Sequence, residues 1–460
     1  MGVVLAKIQE GKLRFSFWRK PLLILVVAAM VMVAGVMVAA YLAQRRLGAE
    51  IIRISRAGEP ASFTDLRPNR TQPAGEDAGG CYVEVLRQIH PAELARLIQV
   101  NVFYRMNLVS MPTSQFPNDM RDKVRQILTN ARPILARIDE GAGLELSNFD
   151  IGITRGNQVC KARLDSVQGI AFLLSLRTLD SILRRDSNEA TESIVSTLKL
   201  MRVFDVHPTM LVEGRKMLCV RLVCSDIQFL LMYCRPSQDQ LKKLQSLLEE
   251  TFQSDAMEKT FLAERVYQLE IARNVIPEDV VKKYLTAGAP NMPERLVVPG
   301  LSWHRMQVFD GSLRYLREMA WLITVARQPW PEPLDEITDA NKSPSGRPSQ
   351  IISSVIPFSR LTADTLAMVQ CTTAAVAIER YRGQKGSIPG SLDDILPLYI
   401  ESIPLDPFTG KPLLYNADVQ SYTIYSTGAN RADDGGAVVP GPNEPAMLDT
   451  GIRIKRVAAR

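Results

Sequence analysis

The side chains that most often ligate metals or act as nucleophiles are few and widely spaced in this chain. None of the six cysteines belongs to a Cys-x-x-Cys pair, and the three histidines lie far apart in sequence. A structural zinc site needs closely spaced Cys or His pairs, so the sequence predicts none. We expect the cysteines to be small buried thiols in helices: Cys81, Cys160, Cys219, Cys224, Cys234 and Cys371.

Motifs that mark common enzyme classes are also missing from the sequence. It contains no phosphate-binding GxxxxGK[ST] loop, no GxSxG elbow, no HExxH and no GxGxxG. Two adjacent Asp-Asp pairs occur, Asp393-Asp394 and Asp433-Asp434. Neighbouring side chains point in different directions, so these pairs do not indicate an acid–base couple. The sequence predicts no catalytic residue, and we do not expect an enzyme.

Composition and charge set broad limits on the class of protein. The chain has 460 residues, of which 46% are hydrophobic and 23% charged, which is ordinary for two or three globular domains. The net charge is +6, from 55 basic and 49 acidic residues. Because no basic stripe with interleaved aromatic residues is present, we do not expect binding to nucleic acid.

One segment near the N-terminus predicts a membrane anchor. Residues 22–43 are uncharged and mostly apolar. As a helix they would span about 33 Å, against a hydrocarbon core of about 30 Å. A cleaved signal peptide has a shorter apolar stretch, so we expect an uncleaved transmembrane helix at 21–43.

Positive charges on both flanks of this helix compete for the cytoplasmic side. The preceding residues 1–20 carry Lys7, Lys12, Arg14, Arg19 and Lys20, and the following residues carry Arg45, Arg46, Arg53 and Arg56. The slightly more basic N-terminal flank predicts a cytoplasmic tail at 1–20. We expect a single-pass protein of the cytoplasmic (inner) membrane with its N-terminus inside and its body extracytoplasmic.

Small residues recur every four positions along the anchor, at Gly35, Ala39 and Ala43. This spacing lets two membrane helices approach closely, which suggests a homodimer through that face. Alanine and glycine are also common in membrane helices in general, and this alternative stays open. The expected partners are the lipid bilayer and an unidentified protein.

Residues 44–326 predict an all-α helical body. Apolar side chains recur at helical spacing from residue 164 onward, and Ser237 with Gln240 has the spacing of a capping box. The stretch 210–234 is apolar enough to suggest a second membrane helix. It contains Glu213, Arg215, Lys216, Arg221 and Asp226, which would be costly in lipid, so we expect a buried helix instead. Its predicted buried face comprises Leu211, Leu218, Leu222 and Phe229.

Residues rich in Pro, Ser, Gly and Asn at 327–354 predict a linker, and 355–460 predict a C-terminal α+β module. A helix over 361–382 precedes a short helix capped at Ser391, and Asp406-Pro407 with Gly410 predict fixed turns. Strands at 413–415, 422–426 and 451–457 would form a small antiparallel sheet. The overall prediction is a mainly α protein with a transmembrane helix, a helical body and this module.

The order of features in this module resembles a known family. "AIERYRGQKGSIPGSLDDILPLYIESIPLDPFTGKPLLYN" followed by "SYTIYSTGANRADDGG" resembles the C-terminal half of the type II secretion major pseudopilin and of type IV pilin-like proteins. The whole chain resembles a group of uncharacterised bacterial membrane-anchored proteins, including the segment Gly58-Glu59-Pro60. The anchor lacks a pilin's Phe-Thr-x-x-Glu sequence after a glycine, which suggests a pilin-like head on a different stalk.

The resemblance implies one metal site. In major pseudopilins the loop after the last long strand binds calcium, and "STGANRADDGG" occupies that place here. Asn430, Asp433 and Asp434 could supply oxygen ligands, with Asp449 and backbone carbonyls completing the six to eight that calcium prefers. The alternative is an acidic turn exposed to water. No other cofactor is expected.

Three functional hypotheses follow from the sequence. The first is an anchored extracytoplasmic protein that acts as a structural or protein-interaction unit. The second is a component or relative of a type II secretion or type IV pilus system. The third is a cell-envelope hydrolase with an unrecognised site. A deep pocket with converging carboxylates would favour the third hypothesis, and a broad apolar groove would favour the first.

Overall fold

The computed structural model describes residues 2–66, 77–88, 96–102, 105, 118–146, 149–153, 157–274, 294–339, 350–438 and 449–456. The predicted mainly α class is confirmed at this level: 73% of the structure is helical, with an apolar N-terminal helix and a small antiparallel sheet near the C-terminus. The helices are α1 (Gly2–Arg56), α2 (Phe63–Leu66), α3 (Ala78–Gln88), α4 (Asn118–Asn130), α5 (Arg132–Gly143), α6 (Asn157–Leu183), α7 (Ser187–Leu200), α8 (Met210–Tyr233), α9 (Gln238–Thr251), α10 (Ala256–Asn274), α11 (Glu294–Ala326), α12 (Glu332–Thr338) and α13 (Gln350–Lys385). Residues 96–102 are also helical, and 3₁₀ helices occupy Met201–Val206 and Leu392–Ile395.

Contacts between residues divide the chain into two compact units. The first comprises Met1–Phe63 and Arg265–Met319, and the second comprises Thr64–Glu264 and Ala320–Arg460. Most of the predicted helical body therefore shares the second unit with the predicted C-terminal module. The predicted boundaries at 44–326, 327–354 and 355–460 stay predictions about which segments fold alone.

Three helices in the described residues are long and apolar enough to cross a membrane: Leu23–Arg56, Val159–Leu183 and Ile351–Lys385. Their burial separates them. Only 6% of the most apolar stretch of the first is buried, against 72% for the second and 78% for the third. The second and third helices are covered by other parts of the chain, whereas the apolar side chains of the first face outward.

In the first unit, the end of α1 is fixed by a glycine and a buried ion pair. Gly58 has a φ of +73°, a conformation that suits glycine just after a helix, and its N–H donates to the carbonyl of Ser55. The following Glu59 carboxylate accepts a 2.5 Å bond from Arg265, whose side chain is buried. The unit's core is formed by Leu47, Ile54, Ala61, Leu269 and Leu316.

In the second unit, α6 packs against α7 and α8, and α13 packs against α8 and α9. The predicted helical spacing of apolar residues from 164 onward is confirmed in α6, because Leu164, Val167, Ala171 and Leu174 are fully buried. The capping box of α9 is also present: the Gln240 N–H donates to Ser237 Oγ, and the Ser237 N–H donates to Gln240 Oε1. These contacts place α8 at the centre of the unit.

The predicted face of α8 is buried only in part, because Phe229 is 5% exposed while two of its leucines are largely accessible. Leu211 and Leu218 are 42% and 46% exposed, while Val212, Val220 and Val223 are fully buried. Neighbours cover α8 on several sides, from α6, α7 and α13. Because the charged residues Glu213, Lys216 and Asp226 are buried while Leu211 and Leu218 are exposed, the spacing of apolar residues gives no clear signal for the buried side.

The C-terminal sheet has the order β1-β2-β3, with strands Leu414–Ala417, Ser421–Ser426 and Thr450–Lys455, all antiparallel. One face of β2 and β3 packs on α13. Part of the predicted linker is ordered: α12 buries Leu334 in a cluster with Ala363, Ala367 and Phe408. Residues 340–349 of that linker lie outside the described residues.

Candidate functional site

The predicted calcium residues lie in one loop after β2, where they bond to neighbouring protein groups. Asn430 Nδ2 donates to Asp434 Oδ2 at 2.7 Å, and the Tyr425 hydroxyl donates to Asp433 Oδ1 at 3.0 Å. Asp449 accepts from the N–H groups of Gly436 and Ala437. Within the described ranges no group of three or more His, Cys, Asp and Glu residues could hold a metal ion. A calcium site that also used Asn430 and backbone carbonyls stays a prediction.

The Asp406 turn is a fixed structural element, as its sequence indicated. The Asp406 side chain is buried, and its carboxylate accepts from the N–H of Phe408, the hydroxyl of Ser426 and both the N–H and hydroxyl of Thr427. Gly410 reverses the chain with a φ of +69°. This carboxylate ties the turn to the end of β2 and is not available to a ligand.

The cysteines and the small residues of α1 complete the residues singled out by sequence. All six cysteines are free and buried, and burial raises the pKa of the Cys224 thiol to about 11, which makes it a poor nucleophile. Along α1, a Cβ atom added to Gly35 would have no neighbouring atom within 4 Å, whereas Ala43 is buried. The predicted dimer face is therefore open at Gly35 and covered at Ala43.

The feature of the second unit best suited to chemistry is a cavity of about 400 Å³, which we call the Glu213 cavity. A volume of this size is typical of small-molecule sites. Its charged lining comes from the 3₁₀ helix 201–206, from α8, from α9 and from the start of α10: Asp205, Glu213, Lys216, Glu250, Asp255 and Lys259. Carboxylates therefore converge on this cavity from four consecutive segments.

Lys216 forms the buried cationic wall of the cavity. Its side chain is 7% exposed, and its ammonium donates to Asp205 Oδ1 at 2.5 Å. The same ammonium lies 5.9 Å from the centre of the Phe252 ring, within the range of a cation–π contact. Burial alone would lower the pKa of Lys216, but the nearby Glu213 and Asp205 carboxylates raise it, so the ammonium stays charged.

Glu213 is buried in the cavity wall one helical turn before Lys216. Its side chain is 2% exposed, and its Oε1 atom has no hydrogen-bond partner among the described residues. Burial raises the pKa of this carboxyl group to about 7, against the opposing effect of Lys216. The group therefore exchanges its proton near neutral pH, and its oxygen can accept a hydrogen bond from a molecule in the cavity.

The outer wall carries two further acidic groups that already have partners. Lys259 lies 2.9 Å from Asp255, and Arg202 lies 3.5 Å from Glu250. These carboxylates are about half exposed, with 45% and 59% of their side-chain surface accessible. The inner wall of the cavity therefore has a buried carboxyl group without a hydrogen-bond partner at Oε1 in the described part of the chain, and the outer wall has ion pairs that are partly exposed to solvent.

Comparisons of the chain with models of protein families, with curated proteins and with solved structures found no match.

Sequence reasoning missed the Glu213 cavity, although one signal for it was present. Charged residues inside the apolar stretch 210–234 predicted a buried helix, and each buried charge needs a partner or a function. What could not be read from the sequence is that Asp205, Asp255 and Lys259 reach the same hollow as Glu213 and Lys216. That arrangement depends on how the helices pack against one another, and local sequence patterns do not show this packing.

Proposed function

We propose that the protein is a single-pass protein of the cytoplasmic membrane whose extracytoplasmic part acts as a structural or interaction unit. The observation that carries the membrane anchoring is the exposed apolar stretch of α1, in which Leu23, Ile24 and Leu25 are each about two-thirds exposed. Apolar surface of this extent is unfavourable in water and favourable in lipid. The other two apolar helices need no bilayer, because the fold itself buries them.

A pair of reporter fusions tests the orientation. A reporter that is active only outside the cytoplasm, fused after Arg460, is expected to give signal, and a cytosol-active reporter is expected to give none. Replacing the five basic residues before the anchor by Gln should weaken or invert this pattern, because positive charge retains a flank in the cytoplasm. Signal only from the cytosol-active fusion of the unmodified chain would contradict the proposed topology.

The proposed relation to type II secretion and type IV pilins rests on the order of features in the C-terminal module. A long helix followed by turns and a three-stranded antiparallel sheet supports it. Mass spectrometry of the N-terminus of the mature protein provides the test. Cleavage with methylation of the new terminal residue would favour a pilin-type component, and an intact N-terminus would favour the anchored interaction unit.

A cell-envelope hydrolase is the second candidate function, and the Glu213 cavity is the observation that favours it. A carboxyl group with a pKa near neutrality can donate a proton to a leaving group, and a second carboxyl group, Asp205, lines the same cavity beside Lys216. Release of soluble fragments from dye-labelled peptidoglycan by the purified protein is the measurement. Activity lost in Glu213→Gln and kept in Glu250→Gln would support a hydrolase, whereas equal activity in both variants would remove Glu213 from the reaction.

A further inference from the structure

Helix α8 carries five charged side chains, and four of them form ion pairs with residues of the second unit. Lys216 bonds to Asp205; Arg215 lies 2.7 Å from Asp165; Arg221 pairs with Asp364; and Asp226 pairs with Arg105. Glu213 is the remaining charge, and its buried Oε1 accepts no hydrogen bond within the part of the chain that the structure describes.

An unpartnered buried acceptor is costly, and native proteins normally satisfy such groups with protein, water or ligand. Glu213 lines a cavity of about 400 Å³, so the missing donor can come from a molecule inside it. The wall residues that could have supplied a cation are already engaged: Lys216 bonds to Asp205, and Lys259 forms an ion pair with Asp255 at 2.9 Å. The cavity therefore offers an acceptor with no donor of its own.

The charges that line the Glu213 cavity indicate which kind of hydrogen-bond donor it can bind. Four carboxylates line the cavity (Asp205, Glu213, Glu250 and Asp255), against the two ammonium groups of Lys216 and Lys259 and the Arg202 guanidinium beside Glu250, which leaves one negative charge in excess when Glu213 is ionised. An incoming cation would reduce this excess of negative charge, whereas an anion would increase it. No group of three or more His, Cys, Asp and Glu residues in the described segments could hold a metal ion, which favours an organic cation.

We propose that the Glu213 cavity binds a small organic cation, with a primary ammonium or guanidinium group donating to the Glu213 carboxylate. The surrounding apolar lining, from Leu66, Pro208, Ala256 and Leu262, would cover the carbon chain of such a ligand. The proposal does not depend on the membrane anchor or on hydrolase activity. Failure of the topology experiment would leave it unaffected.

The protonation state of Glu213 gives the proposal a pH dependence. The groups that face it are Lys216 on its own helix, Asp205 on the preceding 3₁₀ helix and Lys259 on α10. A bound cation stabilises the ionised carboxylate, so binding at pH 7 should expel the proton that Glu213 holds in part of the molecules. Affinity should accordingly fall below about pH 6.

The test uses the full chain in nonionic detergent with three probes: methylammonium, guanidinium and 1,4-diaminobutane. The neutral analogue 1,4-butanediol and sodium chloride at equal ionic strength serve as controls. We expect at least one cation to raise the melting temperature of the wild type and of Glu192→Gln, which removes an exposed carboxylate that does not line the cavity. In Glu213→Gln the dissociation constant should rise about tenfold or more, because a charge-assisted bond is lost.

Calorimetry in two buffers with different heats of ionisation provides a measurement that does not depend on the variant's folding. Proton release on binding to the wild type at pH 7 supports the proposal. Absence of binding by all three cations at 10 mM would overturn it, as would equal affinity in wild type and Glu213→Gln, which places the cation elsewhere. Binding of 1,4-butanediol as tightly as the diamine would also overturn it, since the site would then select a hydroxyl donor.

Discussion

Glu213 shows how one buried carboxyl group can affect both stability and binding. Its pKa in the folded protein is about 7, above the value of 4.5 for an unperturbed glutamate, because burial disfavours the charged form. Between these two values the folded state holds a proton that the unfolded state has lost. The group therefore destabilises the fold increasingly as the pH rises from about 4.5 to about 7.

We expect Glu213→Gln to remove this dependence. The wild type should lose about 3 kcal/mol of unfolding free energy from this group between pH 4.5 and 7, and the variant should show a flatter profile. At pH 8 the variant should be the more stable protein. Urea unfolding of the two chains in detergent at several pH values measures the effect. Parallel profiles would show that the carboxyl group is solvated in the folded state.

Asp406 differs from Glu213, because its buried carboxylate is fully used in hydrogen bonds that hold a turn. It is buried and accepts four hydrogen bonds, three of them from Ser426 and Thr427 at the end of β2. We expect Asp406→Ala to cost about 3 kcal/mol, since it strands several buried donors. Thermal unfolding provides the measurement.

Asp418 is a suitable control for that prediction. It also accepts three bonds, from Gln420 and Ser421 in the turn between β1 and β2, but it lies in an exposed loop. Water can replace its bonds, so Asp418→Ala should lower the melting temperature much less. Equal losses in the two variants would mean that burial does not distinguish these turns.

At the scale of elements, the sheet depends on a close approach at Gly451. A Cβ placed on this residue would meet the carbonyl oxygen of Ile424 and lie 2.7 Å from the Tyr425 Cα. Gly214 in α8 is different, because an added Cβ there meets nothing within 4 Å. A side chain is therefore excluded by the neighbouring strand at Gly451, whereas the space at Gly214 would admit one.

We expect Gly451→Ala to destabilise the protein by about 1–3 kcal/mol, since β2 and β3 must separate to admit the methyl group. Gly214→Ala should be neutral or stabilising by up to about 1 kcal/mol, because alanine loses less backbone entropy in a helix. Chemical denaturation of both variants measures the difference. A stable Gly451→Ala variant would show that the sheet tolerates a wider spacing there.

At the scale of the whole molecule, the two units divide the functions that we propose. The first unit contains the anchor helix and the ion pair of Glu59 with Arg265, and the second contains the Glu213 cavity and the C-terminal sheet. The predicted boundaries at 44–326, 327–354 and 355–460 stay predictions about which segments fold alone. Long helices such as α11 contribute residues to both units, so contacts rather than linkers define them.

Removal of residues 1–38 should release the protein from membranes. The deleted part contains the exposed apolar stretch and leaves Leu47 and Ile54, which pack in the core of the first unit. We expect the shortened chain in the soluble fraction after ultracentrifugation, with a melting temperature close to that of the full chain in detergent. Recovery of the full chain in the soluble fraction without detergent would contradict the anchor.

The sequence by itself determined the features that depend on local patterns: the exposed apolar helix, the helical class, the Ser237 capping box, the Asp406-Pro407 turn and the strands of the C-terminal sheet. These depend on periodicity, on caps and on turn residues within a few positions of one another. Only the tertiary structure decided which side of α8 is buried, how the chain divides into units, and that Glu213 and Lys216 share a cavity with Asp205, Asp255 and Lys259. Burial and charge pairing arise from the packing of distant segments, and that packing sets the electrostatic environment in which a side chain can bind or react.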